Sequence, residues 1–257
     1  MIESLEHRVL FNGTVRITSS PRGIHIVGDD AGNALALFRP DDGSGDPQFG
    51  ITASISSRTK LIYNGKIITG ENSSVDLTAK NGVPLTIDMG GGEDYLLFSS
   101  RTVFGASRID LGAGNDRLRV DGQFESLELY GGAGDDWMTF FARDVVTGNA
   151  AIFPGAGRDR IYFHGFSASA PALFGGKLLI YDRQGPLIVT GNYLSVRREM
   201  LISTGESIDH ITLTNGSFCR FATIGTRGGD DVIDLTNSYF RNDRDVLPGA
   251  GSNSVTG

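Results

Sequence analysis

Apolar side chains recur along this chain with a spacing that returns about every 22 residues. One apolar position falls two residues after a recurrent Asp or Asn, and a second falls seven residues before it. The two columns contain Leu35, Val75, Leu96, Leu118, Met138, Ile161, Leu187, Ile211, Ile233 and Val255, and Ile26, Ile87, Ile109, Leu129, Ile152, Leu178, Ile202, Ile224 and Val246. Apolar and polar residues alternate around the first column, as in strands with one buried face. Short strands at a fixed period, without helical spacing between them, indicate a solenoid.

The recurrent acidic residue closes a glycine-rich motif of the form Gly-x-Gly-x-Asp. Copies of the motif end at Asp94, Asp116, Asp136, Asp159, Asp209, Asp231 and Asn253. Ser73 and Asn33 extend the series upstream, and a degenerate turn near Gly185 fills the long gap before Asp209. Glycine permits positive φ and close backbone approach, and an Asp side chain can accept backbone N–H bonds within a turn. The motif therefore predicts one sharp corner in each repeat.

These patterns predict an all-β fold, specifically a right-handed, single-stranded parallel β-helix of about ten coils of roughly 22 residues, with essentially no α-helix. Residues 1–13 are expected to form an N-terminal segment or cap, and residues 14–257 the β-helix, with an insertion near 41–50. A β-sandwich is the competing fold, but it would not predict a constant period. The sequence stops soon after a new corner begins at Gly249. We therefore expect a fragment of a longer chain, or an uncapped coil that favours end-to-end self-association.

Composition narrows the class of protein. The chain has 257 residues and 36 glycines, about twice the usual share, but only 8 prolines and one cysteine. These counts exclude a collagen, an internal disulfide framework and a cysteine-based zinc site. The net charge of −7 argues against nucleic acid or an anionic membrane as partner. No apolar run approaches the roughly 18 residues of a membrane span.

One corner carries a family resemblance. Residues 131–139, with the sequence GGAGDDWMT, resemble the nonapeptide repeat of the RTX or haemolysin-type calcium-binding proteins. The resemblance implies Ca²⁺ as a cofactor between neighbouring turns, with Asp94, Asp116, Asp136 and Asp159 as candidate ligands. Here the motif occurs once per coil and never in tandem. The alternative is a column of turns without metal, in which hydrogen-bond donors offset the repulsion between stacked carboxylates.

A second resemblance lies near the N-terminus. Residues 5–11, with the sequence LEHRVLF, are similar to the LEPR-xLL motif of large exported bacterial surface proteins. His7 replaces the proline and Phe11 the last leucine of that motif. The resemblance implies a secreted or cell-surface protein of bacterial origin. The alternative interpretation is a polar first turn or cap, and no signal peptide with a basic start and an apolar core is visible.

The outer face of one predicted strand carries rings and guanidinium groups in successive coils. Tyr95, Arg117, Trp137 and Arg160 occupy the position after each corner, and Arg119 and Tyr162 lie two residues after Arg117 and Arg160. Flat rings stack on sugar faces, and guanidinium groups bind hydroxyls or uronate carboxylates. These six residues are the candidate ligand-binding set, with a polysaccharide or cell-surface glycan as partner. The alternative is a cation–π ladder that only stabilises the sheet.

Catalytic signals are weak. The sequence has no phosphate-binding loop, no HExxH motif and no GxSxG elbow, and its four histidines are scattered. Asp88 and Asp110 form an outward pair on adjacent coils, but the insertion near 41–50 lies too far away to wall a cleft beside the rings. We therefore expect a non-catalytic, structural or adhesive segment. A polysaccharide lyase or glycoside hydrolase of the parallel β-helix type is the alternative.

Overall fold

The computed structural model describes residues 12–38, 51–55, 58–68, 73–77, 82–99, 102–141, 145–218 and 221–257. The LEHRVLF segment and the insertion near 41–50 lie outside these residues. All regular structure within the described residues is β-strand. Accordingly, this part of the chain contains no helix that could cross a membrane.

The strands are short and follow one another closely. The first nine are β1 Thr14–Ser20, β2 Gly23–Val27, β3 Ala34–Phe38, β4 Ile51–Ile55, β5 Lys60–Tyr63, β6 Lys66–Ile68, β7 Ser74–Leu77, β8 Leu85–Asp88 and β9 Tyr95–Phe98. The next nine are β10 Val103–Asp110, β11 Arg117–Val120, β12 Gln123–Ala133, β13 Trp137–Phe141, β14 Ala150–Ala156, β15 Asp159–His164, β16 Ala172–Phe174, β17 Leu178–Tyr181 and β18 Leu187–Asn192. The last nine are β19 Leu194–Val196, β20 Glu199–Ser203, β21 His210–Thr214, β22 Ser217–Phe218, β23 Phe221–Gly225, β24 Val232–Asp234, β25 Tyr239–Phe240, β26 Arg244–Leu247 and β27 Ser254–Thr256.

These strands form three sheets that wrap around one core. The first sheet has the order β26-β23-β20-β17-β14-β12-β10-β8-β2-β1-β5-β6. The second has the order β27-β24-β21-β18-β15-β13-β11-β9-β3-β4-β7, and the third is β16-β19-β22-β25. From β2 to β26 and from β3 to β27 every neighbour is parallel, so the described residues contain nine stacked rungs rather than the ten coils predicted. The parallel β-solenoid is confirmed.

Equivalent residues lie on top of one another in the core. Ile109 aligns with Leu129, and Leu129 aligns with Ile152, each fully buried. Leu118 and Met138 align in the second sheet in the same way. Full burial of one such side chain stabilises the fold by about 1.5–3 kcal/mol. Because every rung contributes to the same columns, the core is continuous along the solenoid axis.

The N-terminal end differs from the prediction. Ser73 and Val75 were expected to begin a coil, but β7 pairs antiparallel with β4, and β4 pairs antiparallel with β3. The rung that contains Asp94 therefore stacks directly on the rung that contains Asn33. On the first sheet, β1 likewise runs antiparallel on β2. Antiparallel strands thus cover the N-terminal edges of both main sheets, where the parallel stack would otherwise present unpaired backbone groups.

One coil is longer than the period. Seven residues, 165–171, lie between His164 and Ala172, where the next coil has only Tyr193. As a result, Ile180 and not Leu178 aligns with Ile152. Leu187 takes the place of the corner acid and aligns with Asp159, although it was assigned to the apolar column two residues later. A fixed repeat length therefore misaligns the residues of a coil that contains an insertion.

The C-terminal strands β26 and β27 are the last in their sheets and pair within the described chain on one side only. Leu247 is 60% exposed and Val255 is 46% exposed on these strands. End-to-end association through this coil remains a prediction.

Candidate functional site

The six candidate ligand-binding residues lie on the outer face of the second sheet. Tyr95, Arg117, Trp137 and Arg160 follow one another in register across β9, β11, β13 and β15. Arg119 and Tyr162 flank Thr139 in the neighbouring outward column. The spacing predicted from sequence therefore brings these side chains to one surface. Adjacent strands hold them about 4.8 Å apart along the solenoid axis.

The ring contacts on this surface join diagonal, opposite and same-strand neighbours. The Trp137 and Tyr162 ring centroids are 5.4 Å apart, and Tyr162 stacks on His164 at 5.9 Å. Phe141 stacks on His164 at 5.3 Å, and the Arg119 guanidinium lies 4.3 Å above the Phe141 ring. Diagonal neighbours lie within reach of aromatic side chains. We call Trp137, Phe141, Tyr162 and His164, with Arg117, Arg119 and Arg160, the aromatic platform.

The sequence pattern alone did not find Phe141 or His164. Both lie five residues after a corner acid, on the outward face at the ends of β13 and β15. The alternating pattern of β15 was visible, but His164 stands just beyond the columns used to define the repeat. In place of the predicted stack of Arg117, Trp137 and Arg160, Trp137 contacts Tyr162 diagonally, and Arg119 rather than Arg117 lies over a ring.

The three platform arginines are not neutralised by close ion pairs. Within the described residues, no carboxylate lies at ion-pair distance from Arg117, Arg119 or Arg160, whereas Arg108 and Lys177 on the first sheet both have such partners. Burial raises the pKa of the nearby Asp121 carboxyl, and the Arg119 charge acts in the opposite sense. The platform is therefore a locally positive surface on an acidic protein.

A loop borders the platform at its His164 end. Residues 165–171 form a tight turn in which the Phe166 N–H bonds to the Ala170 carbonyl. Phe166 is 73% exposed, the highest value among the large apolar side chains of the described residues. This loop was not predicted, although the spacing between Asp159 and Asp209 exceeds two regular periods and could have revealed it.

The corner carboxylates form a hydrogen-bonded column inside the wall. Oδ1 of Asp116 accepts the Asp94 N–H at 2.7 Å, and Oδ1 of Asp136 accepts the Asp116 N–H at 2.9 Å. Oδ1 of Asp159 accepts the Asp136 N–H at 2.8 Å. Asp94 in turn accepts the Asn33 N–H at 2.6 Å. The predicted Asx-type bond within the turn is not the one formed at these four corners, because each carboxylate accepts its hydrogen bond from the coil before its own.

The second oxygen of each of these carboxylates has no partner. Oδ2 of Asp94, Asp116, Asp136 and Asp159 is buried without a hydrogen bond. Burial raises the pKa of Asp94 and Asp136 to about 8, and that of Asp116 to about 7. The pKa of Asp159 is raised to about 6 for the same reason. The backbone N–H bonds act against this rise, and neighbouring carboxylates add to it.

The carboxylates of the column do not gather as a group of metal-ligating side chains in the part of the chain that the structure describes. Calcium takes six to eight oxygen ligands. No three His, Cys, Asp or Glu side chains among the described residues converge on one point. Oδ2 of Asp136 points instead towards the Gly131 backbone, since a Cβ added at Gly131 would lie 2.6 Å from this oxygen. These four carboxylates alone do not supply the ligands of a calcium ion, and calcium binding stays a prediction.

The outward carboxylate pair lies on the first sheet. Asp88 and Asp110 align on β8 and β10, and the Arg108 guanidinium lies 3.7 Å from Asp110. Burial raises the pKa of Asp110, the Asp88 charge adds to the rise, and Arg108 opposes it. This pair is separated from the platform, because the two sets belong to different sheets.

A shared fold does not determine an activity, so function depends on the side chains of these sites. No family model, no curated protein and no solved structure matches this chain.

Proposed function

We propose that this chain is a non-catalytic β-solenoid segment of an exported or cell-surface bacterial protein, and that its aromatic platform binds an acidic polysaccharide. One observation carries the proposal. Three arginines without a close carboxylate partner share a surface with four rings on adjacent strands. The similarity of residues 5–11 to a motif of exported surface proteins supports the location.

The chemistry of the platform suits an anionic sugar chain. Trp137 is 45% exposed, so its ring offers an apolar face on which a pyranose can stack. A guanidinium group matches the two oxygens of a carboxylate or sulfate in planar geometry. The local positive charge selects for an anion, because the rest of the protein is acidic and repels it. Since the rings and cations lie on strands, little ordering is needed on binding.

Intrinsic fluorescence tests the proposal directly, because Trp137 is the single tryptophan of the chain. Titration with polygalacturonate should change the tryptophan emission in a saturable way. Added salt should weaken the binding, because exposed charges are screened beyond about 10 Å at 0.1 M ionic strength. Dextran, which is uncharged, should cause no comparable change at the platform.

Two triple variants provide a matched comparison. R117Q/R119Q/R160Q removes the platform cations and should abolish the response to polygalacturonate. R22Q/R58Q/R227Q removes three exposed arginines elsewhere and changes the net charge equally, so its binding should match the wild type. An unresponsive wild-type protein, or equal loss in both variants, would refute the proposal.

Calcium binding at the corners is tested separately by thermal unfolding. Melting curves in calcium and then in EDTA should differ by several degrees if the metal binds the folded state, since a ligand that binds only that state raises its stability. Coincident curves would leave the column as a set of turns held by backbone hydrogen bonds.

A further inference from the structure

A groove of about 500 Å³ crosses the outer side of the first sheet. It spans five consecutive rungs, β8, β10, β12, β14 and β17, so its length is about 19 Å at the usual spacing of parallel strands. It runs along the solenoid axis and lies on a different sheet from the aromatic platform. None of the sequence patterns pointed to it.

Small side chains create the groove. Ala106 aligns with Ser126 in one outward column, and Glu128, Ala151 and Leu179 align in the next. The floor is therefore shallow and largely apolar at Ala106, Ala151 and Leu179. Longer polar side chains stand beside this floor. The result is an open trough with an apolar base.

The charges along the groove are already paired. The Arg108 guanidinium lies 3.3 Å from the Glu128 carboxylate and 4.0 Å from the Tyr130 ring centroid. The Lys177 ammonium lies 2.5 Å from the Glu199 carboxylate. A polyanion would have to displace these partners, whereas the platform arginines have no such partners to lose. Charge complementarity therefore favours an uncharged occupant.

The remaining groups both donate and accept hydrogen bonds. Ser126 offers a hydroxyl donor and acceptor on the groove, and Asn149 offers its amide donors while its Oδ1 accepts the Lys177 N–H at 3.0 Å. Sugar hydroxyls likewise donate and accept, and the C–H faces of a pyranose suit the apolar floor. We propose that this groove is a second binding site, and that it takes a linear, uncharged polysaccharide lying along the solenoid axis.

Affinity electrophoresis in native gels that contain hydroxyethyl cellulose, galactomannan or dextran tests the proposal. At least one of these neutral polymers should retard the wild-type protein. Ala151→Trp fills the groove from an outward position and should weaken the retardation at least about tenfold. Thr223→Trp places the same ring in the same outward column, outside the groove, and should behave like the wild type.

Further measurements separate this groove from the platform and from a loss of folding. R117Q/R119Q/R160Q should keep the retardation by neutral polymer, which separates this site from the platform. Absence of retardation in all three gels, or equal retardation of the two tryptophan variants, would overturn the proposal. Binding of polygalacturonate alone at the groove would also overturn the proposal. A wild-type dimer in solution that Ala151→Trp abolishes would overturn it as well, because the groove would then be occupied by a second copy of the chain. Equal melting temperatures of the two variants would show that the substitution leaves the fold intact.

Discussion

The backbone N–H of Asp94 donates a 2.7 Å hydrogen bond to Oδ1 of Asp116, while Oδ2 of the same Asp116 carboxyl is buried without a partner. The same arrangement joins Asp116 to Asp136 in the next rung. One oxygen therefore holds two coils together, and the other has lost its hydration. This asymmetry explains why burial raises these pKa values although every carboxyl accepts a hydrogen bond.

The column should make stability depend on pH across the neutral range. The folded-state pKa values of Asp94, Asp116 and Asp136 lie at about 8, 7 and 8, above the ordinary value of 3.8. The folded state then holds protons that the unfolded chain releases. The stabilisation is complete below pH about 4 and is lost as the pH rises towards 8. We expect urea unfolding to show a free energy at least about 2 kcal/mol lower at pH 8.5 than at pH 5.

Charged groups around the column also shift the pKa values of its carboxyls. Glu93, Asp135 and Asp182 face its members and raise their pKa values further, whereas Arg160 opposes the rise at Asp159. Asp136→Asn removes one titrating group and keeps Oδ1 as acceptor. The free energy of unfolding of this variant should therefore change less with pH than that of the wild type. The exposed Asp230→Asn should keep the wild-type slope. A wild-type slope in Asp136→Asn would contradict this account.

Gly132 should not tolerate alanine. Its φ is +107°, and an added Cβ would lie 1.7 Å from the carbonyl oxygen of Gly112 in the preceding coil. The two coils would have to separate to remove this clash, and their separation would break the adjacent hydrogen bonds. We expect Gly132→Ala to lower the free energy of unfolding by about 3 kcal/mol or more. Gly225→Ala is the control, because no atom lies within 4 Å of its added Cβ, and urea titrations should show a much smaller loss.

Leu129→Ala tests the stacked core. Leu129 is fully buried between Ile109 and Ile152, and truncation leaves a cavity that two rungs share. The loss should be about 2–5 kcal/mol by urea unfolding. The exposed Glu125→Ala on the same strand should change stability by less than about 0.5 kcal/mol. A loss at Leu129 as small as the control would be inconsistent with a continuous core.

The repeat was readable from sequence where each coil has the regular length. Ile109, Leu129 and Ile152 follow from their distance to a corner acid, because stacking places like residues in one column. The corner glycines were predictable for the same reason. The outward order of Arg117 and Trp137 follows from the alternation of a strand.

The remaining features depend on contacts that periodicity does not encode. Leu187 replaces the corner acid, so the column is interrupted after Asp159, whose N–H bonds instead to the Pro186 carbonyl. The antiparallel return of β4 onto β3 reverses the chain direction without a change in the apolar pattern. The pairing of Trp137 with Tyr162 depends on a diagonal contact between neighbouring strands. A one-dimensional repeat specifies the rung but not such contacts.

Tyr193 marks a corner where the sequence is not optimal for the backbone. Its φ is +53°, and Asn215 and Asn237 occupy the equivalent position of the next two coils at +55° and +56°. Asparagine tolerates the left-handed region, whereas a bulky side chain there costs about 1–2 kcal/mol. The free energy of unfolding from urea titration should therefore be about 0.5–1 kcal/mol higher for Tyr193→Asn than for Tyr193→Ala.

The alanine variant is the matched reference for this corner, because both substitutions remove the ring and its packing. The difference between them isolates the backbone preference from the contacts that the tyrosine makes. The reciprocal change Asn215→Tyr should lower stability, since it places a ring in the same left-handed conformation and removes the bond from the Asn215 amide to Asn192. Equal stabilities of the asparagine and alanine variants at 193 would mean that the corner relaxes to negative φ when the ring is removed, so that the conformation belongs to the tyrosine rather than to the coil.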